Sequence, residues 1–303
     1  MRKLLAILFM LTGGAFAQHL PLQSHYMFNG VGLNPAFTGS ENTFSIVGSY
    51  SNQWVGIEGA PTTQYITAHA PLKKIKSAIG VQLYSDRIGV DKNTGIFGNY
   101  AYKIPLDDAN LTFGLSGGVV LRRSIFSELA VVDNGDEVIS ENSPLGVLPD
   151  FSFGAHYHTN KAFVSFALPM FLSHKFENNK FYIRNKFSNY NLTLGGGYLI
   201  KVNPKVHLKP STLIKYRANN KVQFDFNLMA EFNKSFSLGM SFRTKESIIG
   251  LLKLRLSEQF YLMYSYGVSI NNLVYYNKGS HEVSIKYNFR YKTSASNPRF
   301  LAW

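Results

Sequence analysis

Apolar and polar residues alternate with a period of two along most of the chain. From Val222 to Phe232 every even-numbered residue is apolar, whereas the odd-numbered residues are mostly polar and two of them are acidic. The same alternation runs through 235–243 and 282–292. A period of two predicts a β-strand whose two faces meet different surroundings.

The alternation predicts fourteen strands between residues 43 and 292. Several of them are about ten residues long, which is the length that crosses a bilayer when a strand is tilted. The mature chain shows no sustained helical periodicity. The predicted strands are 43–52, 62–72, 76–86, 94–103, 109–121, 149–158, 161–168, 186–200, 205–216, 221–232, 235–243, 247–256, 259–268 and 280–292.

Two features favour a membrane barrel over a soluble sandwich. Short connections, such as 233–234, alternate with longer ones, such as 53–61 and 122–148, and this is the pattern of outer-membrane barrels. The polar faces also carry charges, such as Asp225 and Lys286, opposite rows of Phe and Tyr. We therefore predict an all-β chain that forms a transmembrane antiparallel β-barrel of about fourteen strands. A secreted soluble β-protein is the alternative.

The first residues carry an export signal. A positive start at Arg2 and Lys3 precedes the apolar run Leu4–Leu11 and a small-x-small site at Ala15–Ala17. This order is typical of a secretory signal peptide, so we predict cleavage after residue 17. An uncleaved anchor helix is the alternative, but the apolar run is too short to span a membrane.

The predicted organisation has four parts. Residues 1–17 form the signal peptide, 18–42 an N-terminal arm, 43–292 the barrel and 293–303 a C-terminal tail. The arm is too polar to lie in lipid, so we place it in the lumen or on the periplasmic rim. The tail ends in an aromatic residue. It serves either as an assembly signal or as a segment that docks on the periplasmic rim.

Composition narrows the chemistry further. The 303 residues include no Cys, which excludes disulfides, thiol nucleophiles and Cys-zinc sites. The net charge of +13 does not imply nucleic acid in an exported protein, because anionic lipid or acidic partners account for it.

No candidate for catalysis or metal binding emerges from the sequence. His156 and His158 share a strand face but lack a visible third ligand. The acidic loop 122–148 does not match the ligand spacing of a calcium loop. We find no triad order and no phosphate-binding loop. The sequence thus predicts no catalytic residues, no cofactor, no metal and no enzymatic activity.

Four ordered motifs lie between residues 18 and 72. They read HYMFN at 25–29, LNPAFTGS at 33–40, NQWVGIEGAPTTQ at 52–64 and HAPL at 69–72. Together they closely resemble the PorP/SprF family of type IX secretion system outer-membrane proteins. The departures from the family patterns are mild, for example His25 for Gln and Phe37 for Tyr. The rest of the barrel resembles this family only in its general strand pattern and not in specific motifs.

The resemblance implies a non-enzymatic, integral outer-membrane protein of a Gram-negative bacterium. It implies a role in the type IX secretion and gliding machinery, or as a partner barrel for secretion and surface anchoring of an adhesin cargo. The implied partners are machinery subunits on the periplasmic side, a large secreted surface adhesin, and outer-membrane lipid. The alternative is a FadL-like or porin-like transporter of small or hydrophobic ligands. An open charged lumen favours transport, whereas a lumen blocked by residues 18–42 favours a scaffold.

The motif residues are the predicted partner-binding set, on two surfaces: the arm 18–42 and the hairpin 53–61. The alternative is structural, with the arm sealing the barrel and the Trp in an aromatic girdle. The set comprises Tyr26, Phe28, Asn29, Asn34, Pro35, Gly39, Gln53, Trp54, Gly56, Gly59, Pro61, Gln64, His69 and Pro71.

Overall fold

The computed structural model describes residues 23–41, 43–72, 75–126, 142–177, 180–183, 185, 190–217 and 221–289. The predicted signal peptide and C-terminal tail lie outside these residues, and so does most of the acidic loop, from 127 to 141. Within the described ranges no helix is long and apolar enough to cross a membrane.

Antiparallel strands make up nearly all of the described chain. Their bounds are β1 (Ser45–Asn52), β2 (Thr62–Pro71), β3 (Ser77–Ile88), β4 (Asp91–Pro105), β5 (Ala109–Ser124), β6 (Gly146–Thr159), β7 (Ala162–Leu168), β8 (His174–Glu177), β9 (Lys180–Ile183), β10 (Leu192–Tyr198), β11 (Ile200–Asn203), β12 (Val206–Arg217), β13 (Lys221–Phe232), β14 (Phe236–Arg243), β15 (Ser247–Arg255), β16 (Phe260–Ser269) and β17 (Ser280–Asn288).

All of these strands except β8 and β9 close into one barrel. The first strand pairs with the last along its whole length, from Ser45 opposite Asn288 to Asn52 opposite His281. β10 and β11 both pair with β12, so they act as one barrel strand interrupted at Leu199. The fifteen paired segments therefore make a closed barrel of fourteen strands, as the alternation predicts.

The two faces of the wall differ as the alternation predicts. On β13 the outward-pointing Phe226 and Leu228 are 49% and 50% exposed. The intervening Asp225 and Asn227 point into the lumen and are 0% and 5% exposed. An apolar outer face suits lipid, whereas the enclosed polar groups find partners inside the barrel.

The two ends of the barrel are unequal. One end, which we call the turn end, carries short turns such as 160–161 and 204–205, together with the start of β1 and the end of β17. The opposite, loop end carries the connections 53–61, 169–191 and 270–279. In bacterial barrels the short turns face the periplasm, so the loop end faces outside.

Two connections at the loop end are more ordered than the sequence predicts. The connection 169–191 contains the separate hairpin of β8 and β9, and a 3₁₀ turn at Asn272–Tyr275 lies in 270–279. Strands of four residues are too short for a period of two to be recognised, so the sequence predicts only a loop over 169–185. The predicted strand 186–200 begins later in the structure, at Leu192.

Candidate functional site

The arm of residues 23–41 lies inside the barrel, as three short 3₁₀ turns. The turns are His25–Met27, Gly30–Gly32 and Pro35–Phe37. Tyr26, Met27 and Phe28 are buried against lumen-facing apolar residues of the wall. Those residues are Val47, Leu213, Met229, Ile249, Leu251 and Met263. Of the two locations left open by the sequence, the lumen is the one that the arm occupies.

The arm enters the lumen beside β17. The backbone N–H groups of Ser24 and His25 donate to the Glu282 carboxylate, at 2.7 and 3.2 Å. The His25 Nδ1 also lies 2.5 Å from the Ser284 hydroxyl oxygen. Burial lowers the pKa of His25, although the Glu282 charge acts in the opposite direction. The ring is therefore neutral at physiological pH, since its ordinary pKa is about 6.5.

The arm leaves the lumen four residues further along the same strand. Glu41 pairs with Lys286, and both side chains are buried. Glu282 lies opposite Ser51 at the loop end of the β1–β17 pair, whereas Lys286 lies opposite Val47, nearer the turn end. The described arm thus runs from the loop end of the lumen toward the turn end, where β1 begins.

A buried ion network holds Tyr26. Asn227 Nδ2 donates to the Tyr26 hydroxyl at 2.9 Å, and the Lys215 ammonium lies 5.4 Å from the ring centroid. Lys215 and Arg243 both pair with Asp225, at 2.7 and 3.3 Å. Burial, and to a smaller extent the Asp225 charge, raises the pKa of Tyr26. The phenol therefore stays protonated at physiological pH.

The Asn34–Pro35–Ala36 turn packs into a dent in the wall. Asn34 Oδ1 accepts from the Ala36 N–H at 2.8 Å, which caps the turn that Pro35 begins. Asn34 Nδ2 donates to the carbonyls of Ala155 and Phe166 on β6 and β7, at 3.3 and 3.0 Å. The Asn34–Pro35–Ala36 turn therefore joins the arm to two wall strands.

Two paired glycines make this dent. Gly114 on β5 lies opposite Gly154 on β6. A Cβ atom on Gly114 would collide with the backbone of Pro35 and Ala36, and one on Gly154 would collide with the Asn34 side chain. We call this pair the glycine notch. Any larger residue at either position would need the arm to move.

From Asn29 onward the arm is also fixed to β2. Thr67 Oγ1 donates to Asn29 Oδ1 at 2.9 Å, and the Tyr65 hydroxyl donates to the Gly32 carbonyl at 3.3 Å. The Gly39 N–H donates to His69 Nδ1 at 3.1 Å. Gly39 has a left-handed φ of 77°, which favours glycine.

The hairpin 53–61 lies at the loop end and is tied to its neighbours by backbone hydrogen bonds. The Val55 N–H donates to Gly279 O at 2.8 Å, and the Lys278 N–H donates to Val55 O at 2.7 Å. On the other side, the Gly89 N–H donates to Gly59 O at 2.8 Å. The connection is therefore a fixed part of the rim.

Trp54 sits at the strained corner of this hairpin. Its φ of 48° is left-handed, which is unusual for a residue with a side chain. Its N–H donates to the Ser280 hydroxyl oxygen at 3.1 Å, and its side chain is half-buried. Trp54 also lines a small polar pocket, together with Ser24 of the arm and the charged Arg243 and Glu246.

The structure divides the predicted site residues into two groups. Most of the arm set converges in the lumen, whereas the hairpin set lies at the loop end. Those that are buried are Tyr26, Phe28, Asn29, Asn34, Pro35, Gly39, Pro61 and His69. Those that are partly or fully exposed are Gln53, Trp54, Gly56, Gly59, Gln64 and Pro71. Their assignment to partner binding stays a prediction.

Several wall residues that hold the arm were not among the predicted site residues. They are Gly114, Gly154, Asn227, Glu282, Ser284 and Lys286. Period-two alternation places Asn227, Ser284 and Lys286 on the polar face, but it does not reveal what they face. Glycines at lumen-facing strand positions were the available signal, since glycine in a strand marks close approach of another backbone.

His156 and His158 take part in aromatic packing. Their ring centroids are 5.0 Å apart, and the His156 ring lies 4.2 Å from that of Phe37 in the arm. Among the described residues, no three His, Asp or Glu side chains converge as metal ligands would.

Comparison with solved structures shows the fold alone. The monoaromatic hydrocarbon channel CymD is similar, with a TM-score of 0.51 and 11% identity over 90% of this chain and 94% of that chain. Omp33 of Acinetobacter baumannii gives a TM-score of 0.49 and 10% identity over 83% of this chain and 100% of its own. The Ralstonia pickettii toluene transporter TbuX also gives 0.49, with 9% identity over 88% and 94%.

Comparison with protein families is more specific. No curated protein matches the chain significantly. The family model described as type IX secretion system membrane protein PorP/SprF matches residues 15–287, which span the arm and almost the whole barrel. The chain belongs to the PorP/SprF family of type IX secretion system membrane proteins.

Proposed function

We propose that this protein is a plugged, non-enzymatic barrel that serves the type IX secretion and gliding machinery as an outer-membrane scaffold. It contacts machinery subunits at its turn end and a secreted surface adhesin at its loop end. The observation that carries the proposal is the arm of residues 23–41, which is buried in the lumen and hydrogen-bonded to strands on several sides of it.

The arm is fixed too widely to serve as a simple gate. Its hydrogen bonds reach β2, β6, β7, β13 and β17, and Glu41 adds a buried ion pair. Each buried hydrogen bond contributes about 1 kcal/mol net, and leaving its partners unpaired costs about 1–3 kcal/mol. Displacing the whole arm would break many of these contacts together. A permanently closed lumen suits a scaffold but is incompatible with a channel.

The exposed hairpin provides the outer contact surface in this proposal. Trp54 keeps a left-handed backbone that glycine would adopt at no cost, which supports a role for its side chain. The hairpin is held on both sides by backbone hydrogen bonds. A rigid aromatic residue loses little conformational freedom when it binds a partner.

A gene deletion separates the scaffold from a transporter. We expect the deletion to abolish surface display of a type IX cargo while leaving uptake of small aromatic and hydrophobic solutes unchanged. Plasmid-borne wild type should restore display, as should the variant Gly98→Leu, whose glycine has open space around it. Normal display together with reduced solute uptake would overturn the proposal in favour of transport.

A further inference from the structure

The barrel strand formed by β10 and β11 extends past its neighbour at the turn end. β10 pairs with β7 as far as Tyr198, opposite Ala162, and the Leu199 N–H donates to Lys161 O at 2.7 Å. β11 then continues for four residues and pairs only with β12. Its other edge has no backbone partner within the described part of the chain.

This free edge is exposed along its whole length. All four residues of β11 are exposed, and Ile200 and Val202 are 43% and 55% exposed. An unpaired strand edge presents alternating N–H and C=O groups, which form a template for another strand. Proteins usually protect such edges by covering or twisting them. Here the register with β12 shifts between Lys201 and Asn203, but no described strand pairs with the outer edge.

Basic side chains surround the edge. Lys201 lies on β11 itself, and Lys161, Lys205 and Lys234 lie on consecutive neighbouring turns; all four are exposed. Two of these turns touch directly, since the Asn233 N–H donates to Lys205 O at 2.7 Å. We call these four residues the lysine arc.

The turns that carry the arc hold no acidic residue, and the acidic residues of the described turn end lie on the two turns that flank them. Asp107 and Asp108 are on the turn between β4 and β5, and Glu258 is on the turn between β15 and β16. Glu231, on the neighbouring β13, is already paired with Lys209 at 2.9 Å. The free edge therefore lies in a positive field at the periplasmic side.

We propose that β11 receives an extended, acidic segment of a periplasmic protein, which adds a strand to the barrel wall at the turn end. Main-chain hydrogen bonds to the edge would supply affinity, as in other strand-addition complexes. The lysine arc would supply charge complementarity and faster association. This inference rests on the proposed function, because it names the surface that a machinery subunit would use.

A lipid headgroup fits the observations less well. A phosphate group can pair with the lysines, but it cannot follow the alternating donors and acceptors of a strand edge. Only an extended chain satisfies both features. The two occupants therefore differ in what happens to the backbone amides of residues 200–203.

The test uses the full protein in nanodiscs and a defined probe. The probe is a nine-residue peptide that alternates Glu with Val and Thr, and its control carries Pro at every second position. Affinity is measured by fluorescence anisotropy at low salt, in neutral and in anionic lipid. Backbone protection is measured as amide hydrogen exchange over residues 200–203.

We expect the probe to bind in both lipids and to slow exchange in 200–203 by at least about tenfold, while the Pro peptide does neither. Changing Lys201, Lys205 and Lys234 to Glu should weaken binding by about two- to fivefold per residue. In the matched control, Lys92, Lys245 and Lys278 at the loop end are changed to Glu. This control should not weaken binding of the probe.

Two results would overturn the inference. Equal binding of the Pro peptide would show that charge alone attracts the probe. Unprotected amides, combined with lysine effects that appear only in anionic lipid, would assign the arc to lipid headgroups. Either result would leave the proposed function standing, because that proposal is tested separately by cargo display in cells.

Discussion

Gly114 and Gly154 face each other across β5 and β6, and the Asn34–Pro35–Ala36 turn fills the space that a side chain on either would occupy. The family motif in the arm therefore fits a space that exists only because these two wall residues have no side chain. The arm is sealed into the barrel by shape as well as by hydrogen bonds. This relationship gives the most direct way to disturb the arm without changing it.

Filling the glycine notch should displace the part of the arm around Asn34. Gly154→Leu would place a side chain where Asn34 lies, and overpacking of this kind typically costs about 1–3 kcal/mol. We expect the barrel to assemble but the Asn34–Pro35–Ala36 turn to leave the glycine notch, while the other hydrogen bonds keep the rest of the arm in the lumen. Because the chain has no Cys, the buried Thr38 can be changed to Cys as a specific probe.

The readout is labelling of Thr38→Cys by a membrane-impermeant maleimide on protein in nanodiscs. Labelling should be slow in the otherwise wild-type background and at least about tenfold faster with Gly154→Leu. Gly98→Leu, on an outward-facing position with open space, is the control and should stay slow. Equally slow labelling of all three would mean that the notch does not hold the arm.

The contact between Glu41 and Lys286 should make arm docking sensitive to acid. Burial alone would raise the pKa of Glu41, but its pairing with Lys286 lowers the pKa to about 2, below the ordinary value of 4.5. A carboxyl whose pKa is lowered by folding stabilises the fold above its unfolded pKa. That stabilisation is lost as pH falls from about 4.5 to 2, and it is on the order of 3 kcal/mol.

Thermal unfolding of wild type and Glu41→Gln across pH 2–7 measures this effect. The wild type should have the higher Tm at pH 7, and the difference should shrink below about pH 4.5 and vanish near pH 2. The charges of His69 and Lys253 also lower the pKa of Glu41, so variants at these two positions serve as reference variants. A Tm difference that is constant over this range would contradict the ion pair.

Arg substitutions on β13 should have two different effects. Phe226 points outward, and Arg at a lipid-facing site near the bilayer centre costs about 2–4 kcal/mol. Phe226→Arg should therefore lower the amount of heat-modifiable barrel. Asn227→Arg should assemble but disturb the arm, because Asn227 donates to the Tyr26 hydroxyl. Comparable loss of assembled barrel in both variants would contradict the register.

Trp54 can be tested with two substitutions that differ in backbone strain. Trp54→Ala keeps the left-handed backbone cost, whereas Trp54→Gly removes it. If the indole contacts the cargo, both variants should assemble normally and both should reduce cargo display. Losing a buried Trp from an interface typically weakens affinity about thirtyfold or more. Loss of display in Trp54→Ala alone would assign Trp54 to hairpin stability.

Alternation along the chain was sufficient to predict the barrel. Strands such as β13 separate apolar and polar residues cleanly, because one face meets lipid and the other the lumen. Closure followed because an open edge in lipid is costly. The strand number followed from the count of alternating segments. The interruption at Leu199 and the continuation as β11 to Asn203 were not predicted, because the predicted strand runs unbroken from 186 and ends at 200.

The arm was harder to predict. Its motifs identify the family, but its contacts are long-range: Ser24 meets Glu282, and Asn34 meets Phe166. No local pattern encodes which strands surround a lumenal segment. Gly154 is one of many strand glycines, and only the position of Asn34 shows which of them matter. The free edge of β11 likewise depends on where its neighbour ends.

Single-channel recording of the purified full-length protein tests the central claim that the arm seals the barrel. In planar bilayers at neutral pH, wild-type protein should give no sustained conductance, whereas Gly154→Leu should give steady openings. Gly98→Leu should behave like the wild type. A wild-type protein that conducts steadily, at the level of its Gly154→Leu variant, would contradict the sealed scaffold and support a transporter.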